Sequence, residues 1–479
     1  MRSFRDPAGR LHFIGLQLIR QVYTEYASSF YRIVQSKFLV EQMASGNVVK
    51  TSTVEESDSV LKELNESNAD GSRLDTLGNL FLRHAVVPFV SYPSEWPNEM
   101  LQAAAELTLS LTERGLDYGI GLKDATPYNI LFMGPKPVFV DVLSFEERDP
   151  FDPVWLAHAQ FVRTFILPLL ANARLKFPLA ALFLSRRDGI EPSELYGMLG
   201  PIKKITPPFL AKVTLPVWLS RKAEKLGSAI YRPQKVKLAS QATFILSMMF
   251  KGMHRDIRRT GRLNNKGKSN WSDYCLTCTY DTKTFDIKNT FIKNFLSERR
   301  PTWVLDIGCN TGHFSRLAAT YGAQVVAIDQ DATVIGSLWH EAHKYSLDIL
   351  PLVVDFARPT PALGWNNRET LSFLDRCRGI FDAVFMLALI HHLLVSDQIP
   401  LSKVLSLAAQ ITKRYLVIEY ISPDDPQFKR LSRGRDALYN HLNIDYFESV
   451  VALSFKILHK CETHNHGRCL YVLEKINVK

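Results

Sequence analysis

The 479-residue chain lacks an uninterrupted apolar run of the ~18 residues that a membrane-crossing helix needs, so no such helix is expected. The apolar clusters Phe165–Leu170 and Leu179–Leu184 are too short and read as buried helices. Residues Met1 to Gly9 are polar and contain arginine, without the apolar stretch of a secretory signal, and a cytoplasmic location is expected. Cysteine is scarce: six residues in a chain of this length make no disulfide framework. Acids nearly vanish from one stretch. Between Pro201 and Asn270 there are 16 Lys or Arg against two acids, Glu224 and Asp256, in a chain whose net charge is +10. That segment is either a solvated basic face or a docking site for an anionic partner, such as a membrane surface or an anionic carrier. No recognised nucleic-acid module accompanies it, so no specific nucleic acid is expected. The length predicts two or three domains, and a 46% apolar fraction is ordinary for a globular protein.

What is present concentrates between Val304 and Ser315. An apolar strand runs into Asp306, then into a turn with Gly308 and Gly312 at its ends, then into a helix. Small residues let a ligand rest against the backbone there, and the helix N-terminus offers free N–H donors. A second strand, Gln324–Asp329, follows, and its Asp329 lies where an acid binds ribose hydroxyls. The dinucleotide pattern G-x-G-x-x-G is missing. The carboxylate of Asp306 would repel a pyrophosphate and suits the amino group of an amino-acid moiety. The ligand so described carries a cation and no phosphate, which is S-adenosylmethionine (SAM).

The strands Ile349–Phe356, Phe381–Leu387 and Tyr415–Tyr420 continue the pattern, separated by helical spacing such as Leu401–Ile411. Continuous apolar strands alternating with helices predict a parallel sheet covered on both faces. Phe455–Lys460 and Arg468–Glu474 sit too close for an intervening helix and predict an antiparallel hairpin. Over roughly residues 271–479 this order resembles class I SAM-dependent methyltransferases, which have a Rossmann-like α/β fold. Cofactor-binding candidates are Asp306, Gly308, Cys309, Asn310, Gly312, Asp329, Gln330, Asp355 and Phe356, with Asp355 at the adenine amine and Phe356 beside the ring. Candidate bases at the ends of the fourth and fifth strands are His391, His392 and Glu419. A paired histidine there is also what a polar helix cap looks like. Arg433, Arg435 and Tyr439 are further along, as substrate contacts or solvated side chains. Neither an Asn-Pro-Pro-Tyr motif for nucleobase amines nor a Pro-Cys pair for cytosine attack occurs, so a hydroxyl of a small molecule or glycan is the preferred acceptor.

Soft ligands occur at Cys275-x-x-Cys278 and at Cys461-x-x-His464-x-His466-x-x-Cys469, a spacing that suits zinc. Nothing requires the two groups to meet, so the second is read as an exposed hairpin turn and no metal is expected.

The N-terminal half carries Asp124, then Asn129 five residues on, then a strand ending in Asp141, which is the catalytic-loop arrangement of kinases. A Gly-rich phosphate loop is missing, Lys123 stands near the usual His-Arg position, and Val48-Val49-Lys50 mimics the phosphate-binding lysine only thinly. An α+β kinase-like domain over 1–260 without phosphotransfer activity is expected, joined by a linker at 261–270 to a methyltransferase domain at 271–479. Phe4–Leu11 fits a β-turn on Pro7 and Gly9, and the acidic stretch Thr51–Ser72 an exposed loop.

Ser3–Leu11, Ser91–Trp96, Leu122–Glu146, the methyltransferase core, Ile418–Pro423 and Arg433–Tyr439 together resemble the NoeA-type nodulation proteins of rhizobia and their bacterial relatives, end to end. That resemblance implies a part in host-specific nodulation through modification of a lipo-chitooligosaccharide signal. Two other functions stay open at this point: phosphotransfer by the N-terminal half, and a non-catalytic scaffold that binds SAM.

Overall fold

The computed structural model describes residues 6–55, 57–66, 78–226, 235–264, 282–463 and 467–476. Cys275, Cys278, His464, His466, residues 265–270 of the expected linker and the start of the expected Phe4–Leu11 turn lie outside them. Contacts divide the chain into two units. One holds Met1–Ser94, Asn98–Met133 and Pro137–Lys266; the other holds Glu95–Pro97, Gly134–Lys136 and Gly267–Lys479.

The first unit opens with a four-stranded antiparallel sheet of β1 (Gly9–Ile14), β2 (Gln17–Val22), β3 (Thr51–Thr53) and β4 (Leu80–His84), in the order β1-β2-β4-β3. Pro7 and Ala8 form a turn, and Gly9 already belongs to β1. The expected loop over Thr51–Ser72 is corrected. Its described part holds β3 and the helix Ser59–Glu66, because Val60, Leu61 and Leu64 recur at helical spacing and bury against Ile14, Ile19 and Phe81. After the helix Asn98–Gly115 come four short strands: β5 (Ile120–Leu122), β6 (Ile130–Met133), β7 (Lys136–Phe139) and β8 (Phe145–Glu147). β5 pairs with β8 and β6 with β7, and the Asp124–Asn129 loop lies between β5 and β6. Most of the remainder to Asn264 is helical.

The linker expectation is corrected at its start. Gly261–Asn264 form the end of the 26-residue helix Ala239–Asn264. Ala242, Leu246, Phe250, Met253 and Ile257 all bury at helical spacing. A glycine near the end of such a helix costs only about 1 kcal/mol and does not stop it.

The second unit is built on a seven-stranded sheet of β9 (Trp303–Ile307), β10 (Gln324–Asp329), β11 (Ile349–Val353), β12 (Phe381–Met386), β13 (Thr412–Ile421), β14 (Phe455–Glu462) and β15 (Arg468–Lys475). Its order is β11-β10-β9-β12-β13-β15-β14. The first five strands are parallel, and β15 is antiparallel to both β13 and β14. The expected Rossmann-like sheet and terminal hairpin are therefore present. The central strands are almost wholly buried because they are apolar on both faces: Val304, Leu305, Val325, Val326, Val384 and Phe385 meet helices above and below. Leu401–Ile411 is helical as its spacing predicts, burying Leu401, Val404, Leu405, Ala408 and Ile411. β9 lies between β10 and β12, so the chain reverses its direction of travel across the sheet at the carboxyl end of β9. Crevices open at such a switch point.

Candidate functional site

At that switch point lies a cavity of about 490 Å3, within the ~300–1,000 Å3 usual for small-molecule sites. Four strand ends line it: Asp306–Thr311 after β9, Asp329 and Gln330 after β10, Val354–Ala357 after β11, and Leu387–Leu389 after β12. Eight of the nine expected cofactor residues are lining residues, among them Cys309, Gln330, Asp355 and Phe356. The ninth, Gly312, sits at the N-terminus of the helix His313–Thr320 with φ of +75°. A Cβ there would run into the side chain of Leu338, so this position accepts only glycine without displacing the helix Ala332–Tyr345. Gly308 has φ of +73°, and its missing side chain lets Leu389 approach the turn, with a Cβ 3.2 Å from Leu389 Cδ1.

The turn holds itself together. The amides of Gly308 and Cys309 donate to Ile328 O at 2.8 and 3.0 Å, and Gly312 N donates to Cys309 O at 2.8 Å. Asp329 takes the amides of Asn310 on Oδ2 and Asp331 on Oδ1, each at 3.0 Å. A carboxylate has about four acceptor positions, so two remain for ligand hydroxyls. Burial pushes its pKa up. Asp306 is buried, and its Oδ2 accepts from Ser315 Oγ at 2.6 Å. Burial, more than the neighbouring Asp329, raises its pKa to about 6. Cys309 stays a thiol, because burial first and Asp306 second push its pKa far up. Asp355 accepts from Ala357 N at 2.9 Å and pairs with Arg358 at 2.9 Å.

Several lining residues carry no motif. Lys288 comes from the helix Thr282–Arg299, ahead of the sheet, and is the one Lys or Arg among the described lining residues. Asp397 lines the far side and reaches Arg358 at 3.2 Å. Phe285 and Phe314 supply aromatic wall, with His313 between them at 4.8 and 5.0 Å from their ring centres. Nothing local marks Lys288 in the sequence, since its helix resembles any surface helix until the sheet is built.

The three candidate bases part company. His392 lines the cavity, half-buried, and burial holds its pKa below the usual value, so the ring is neutral near pH 7. His391 packs on it with the rings tilted and their centres 4.3 Å apart but is buried away from the cavity lining, and burial, then His392, pushes its pKa far down. Glu419 is not among the cavity's lining residues, although its partners Lys288 and Ala388 are. It is wholly buried on β13, its Oε2 accepts from Lys288 Nζ at 2.6 Å and Ala388 N at 2.8 Å, and its Oε1 lies 3.5 Å from Arg468 Nη1. Arg468 in turn grips Asp425 at 2.7 and 3.0 Å. A carboxylate clamped between two buried cations and away from the cavity holds the wall in place. Ala388 sits in the left-handed region at φ +50°, and the Glu419 hydrogen bond holds it there. Arg433, Arg435 and Tyr439 are not among the cavity's lining residues; Tyr439 packs on Phe428 at 5.5 Å.

Within the first unit the Asp124–Asn129–Asp141 trio also assembles. Asn129 Nδ2 donates to Asp124 O at 3.3 Å and to Ser144 Oγ at 3.0 Å, and Ser144 Oγ donates to Asp141 Oδ2 at 2.7 Å. Arg20 lies 3.4 Å from Asp141 and 2.7 Å from Asp6. Burial, then Asp141, raises the pKa of Asp124. Lys50 is exposed ahead of β3. Among the described residues, no group of three or more His, Cys, Asp or Glu could hold a metal ion.

A family model described as a methyltransferase domain matches residues 280–453. The nodulation protein NoeA of Rhizobium meliloti (strain 1021) is 28% identical over 480 residues, covering 99% of this chain and 95% of its own. Among solved structures, the bifunctional kinase-methyltransferase WbdD is 18% identical over 40% of this chain and 39% of that one, with a TM-score of 0.29. The N-methyltransferase NodS from Bradyrhizobium japonicum WM9, in complex with S-adenosyl-L-homocysteine, is 13% identical over 45% of this chain and 97% of that one, with a TM-score of 0.31.

Proposed function

We propose that this chain, 28% identical to the nodulation protein NoeA and matched by a methyltransferase-domain model over residues 280–453, uses SAM to methylate a hydroxyl of a nodulation signal, a lipo-chitooligosaccharide or a related glycan or small molecule. The observation that supports this reading most is the switch-point cavity, whose lining pairs four carboxylates with a single Lys. SAM carries an ammonium, a sulfonium and one carboxylate, and supplies an electrophilic methyl group. Asp306 faces the cations, Lys288 takes the carboxylate, Asp329 accepts from the ribose hydroxyls, and Asp355 with Phe356 receives the adenine. Leu387, Leu389 and Leu393 keep water from the reacting centre. His392, neutral at its lowered pKa, takes the proton from the acceptor hydroxyl as it attacks.

The N-terminal unit is read as kinase-like in arrangement and without phosphotransfer, because no Gly-rich phosphate loop precedes Asp124 and Lys123 stands near the usual His-Arg position. Calorimetry of the full chain with SAM and, separately, with Mg-ATP divides these readings. Uptake of SAM and a methylated product are expected. Mass spectrometry of nodulation-signal molecules from cells with and without the protein identifies the acceptor by the gain of one methyl group. Failure to bind SAM would remove the enzymatic reading, and binding without any product would leave a SAM-binding scaffold.

A further inference from the structure

A solvated helix turns its apolar side inward and its charges outward. The basic stretch of the first unit breaks that rule. The helix Leu215–Leu226 buries Val217 on its inner side, and Val213 ahead of it is buried too. Yet Leu215, Trp218 and Leu219, spaced three and four residues apart, stand on its outer side, with Trp218 50% and Leu219 65% exposed. The short helix Pro201–Ile205 does the same with Ile202, 79% exposed, and Ile205. These side chains are framed by cations. Lys204 Nζ lies 3.9 Å from the ring centre of Tyr196, Arg221 lies 5.7 Å from the same ring, and Trp218 Nε1 donates to Tyr196 Oη at 3.4 Å. Tyr196 therefore brings both helices and both cations into one patch.

We propose that this patch is a docking surface for an anionic lipid bilayer. Two independent observations select that occupant. Apolar and aromatic side chains flanked by Lys and Arg, here Lys204 and Arg221, are the make-up of elements that lie in a bilayer interface, where an indole sits at headgroup level and basic residues meet lipid phosphates. The sequence of these two helices and their join is also one-signed: residues 201–226 carry six Lys or Arg against Glu224 alone. An ordinary protein partner would not require that excess, whereas a negative surface attracts each cation in turn. The inference stands apart from the methyltransferase reading, since no residue of the patch belongs to the cofactor cavity.

The test is co-sedimentation of the full chain with phosphatidylcholine vesicles, with and without one third phosphatidylglycerol. Binding is expected only to the anionic vesicles and should fall as salt is raised. Trp218→Ser with Leu219→Ser should lower the partition coefficient about tenfold or more, since two interfacial apolar side chains are lost. Lys203→Glu with Lys204→Glu should lower it comparably. Far-UV circular dichroism and urea unfolding midpoints like those of the wild type, measured alongside, report that both variants are folded. Equal binding to neutral vesicles, no vesicle binding, or unimpaired binding by both variants would overturn the proposal. So would a wild-type dimer that ignores vesicles and that Trp218→Ser dissociates, which would make the patch an interface between two copies.

Discussion

Asp306 and Asp329 show how one residue type serves two tasks when its surroundings differ. Asp329 spends one lone pair of each oxygen on a backbone amide, which aims the rest at the cavity. Asp329→Ala should weaken SAM binding at least tenfold, about 1.4 kcal/mol, by calorimetry, and unchanged affinity would remove it from the ribose. Asp306 has little water and a pKa raised to about 6. Only its charged form attracts a cation, so SAM affinity should climb as pH rises through about 6, by up to about tenfold per pH unit below it, and level off above. A flat profile between pH 5 and 7, or one that Asp306→Asn leaves in place, would sink that assignment. His392→Ala should slow turnover about 100-fold while SAM affinity stays nearly constant, which separates a proton acceptor from a cofactor contact.

Elements were legible in the sequence wherever one periodicity ran unopposed. β9, β10 and β12 are apolar on both faces except at Asp306, Gln324, Asp329 and Asp382 and read as buried strands, and Leu401–Ile411 could only be a helix with one apolar stripe. The turn residues were legible because Gly308 and Gly312 mark positive φ. Two kinds of feature were not. The helix Ser59–Glu66 hid behind a polar composition, since three buried side chains suffice to dock it. The environment of Glu419 depends on side chains separated by 131 and 49 residues, Lys288 and Arg468, which only the folded sheet brings together. Removing one member of a buried ion pair strands its partners, so Glu419→Gln should cost about 3 kcal/mol of unfolding free energy in urea titrations. Adding Lys288→Met should restore part of that loss. Turnover that collapses in a fully stable Glu419→Gln protein would return this residue to the chemistry.

For the whole chain, the two units make separate claims that one substitution can separate. Asp124→Ala, placed in the first unit, should leave methyl transfer largely intact, since the Asn129–Ser144–Asp141 hydrogen bonds do not use its side chain and it lies outside the cofactor cavity. Loss of methyl transfer in a folded Asp124→Ala protein would show that the halves work together. The thiols of the chain point to one more property. Of the four cysteines described, Cys309, Cys377 and Cys469 are buried and only Cys461 is partly open, while Cys309, in the turn that lines the cavity, is held as an unreactive thiol by burial first and by its acidic neighbours second. Peroxide and alkylating agents attack thiolates, so the nucleotide-facing turn should tolerate oxidative stress that would disable an enzyme with an ionised cysteine in the same place.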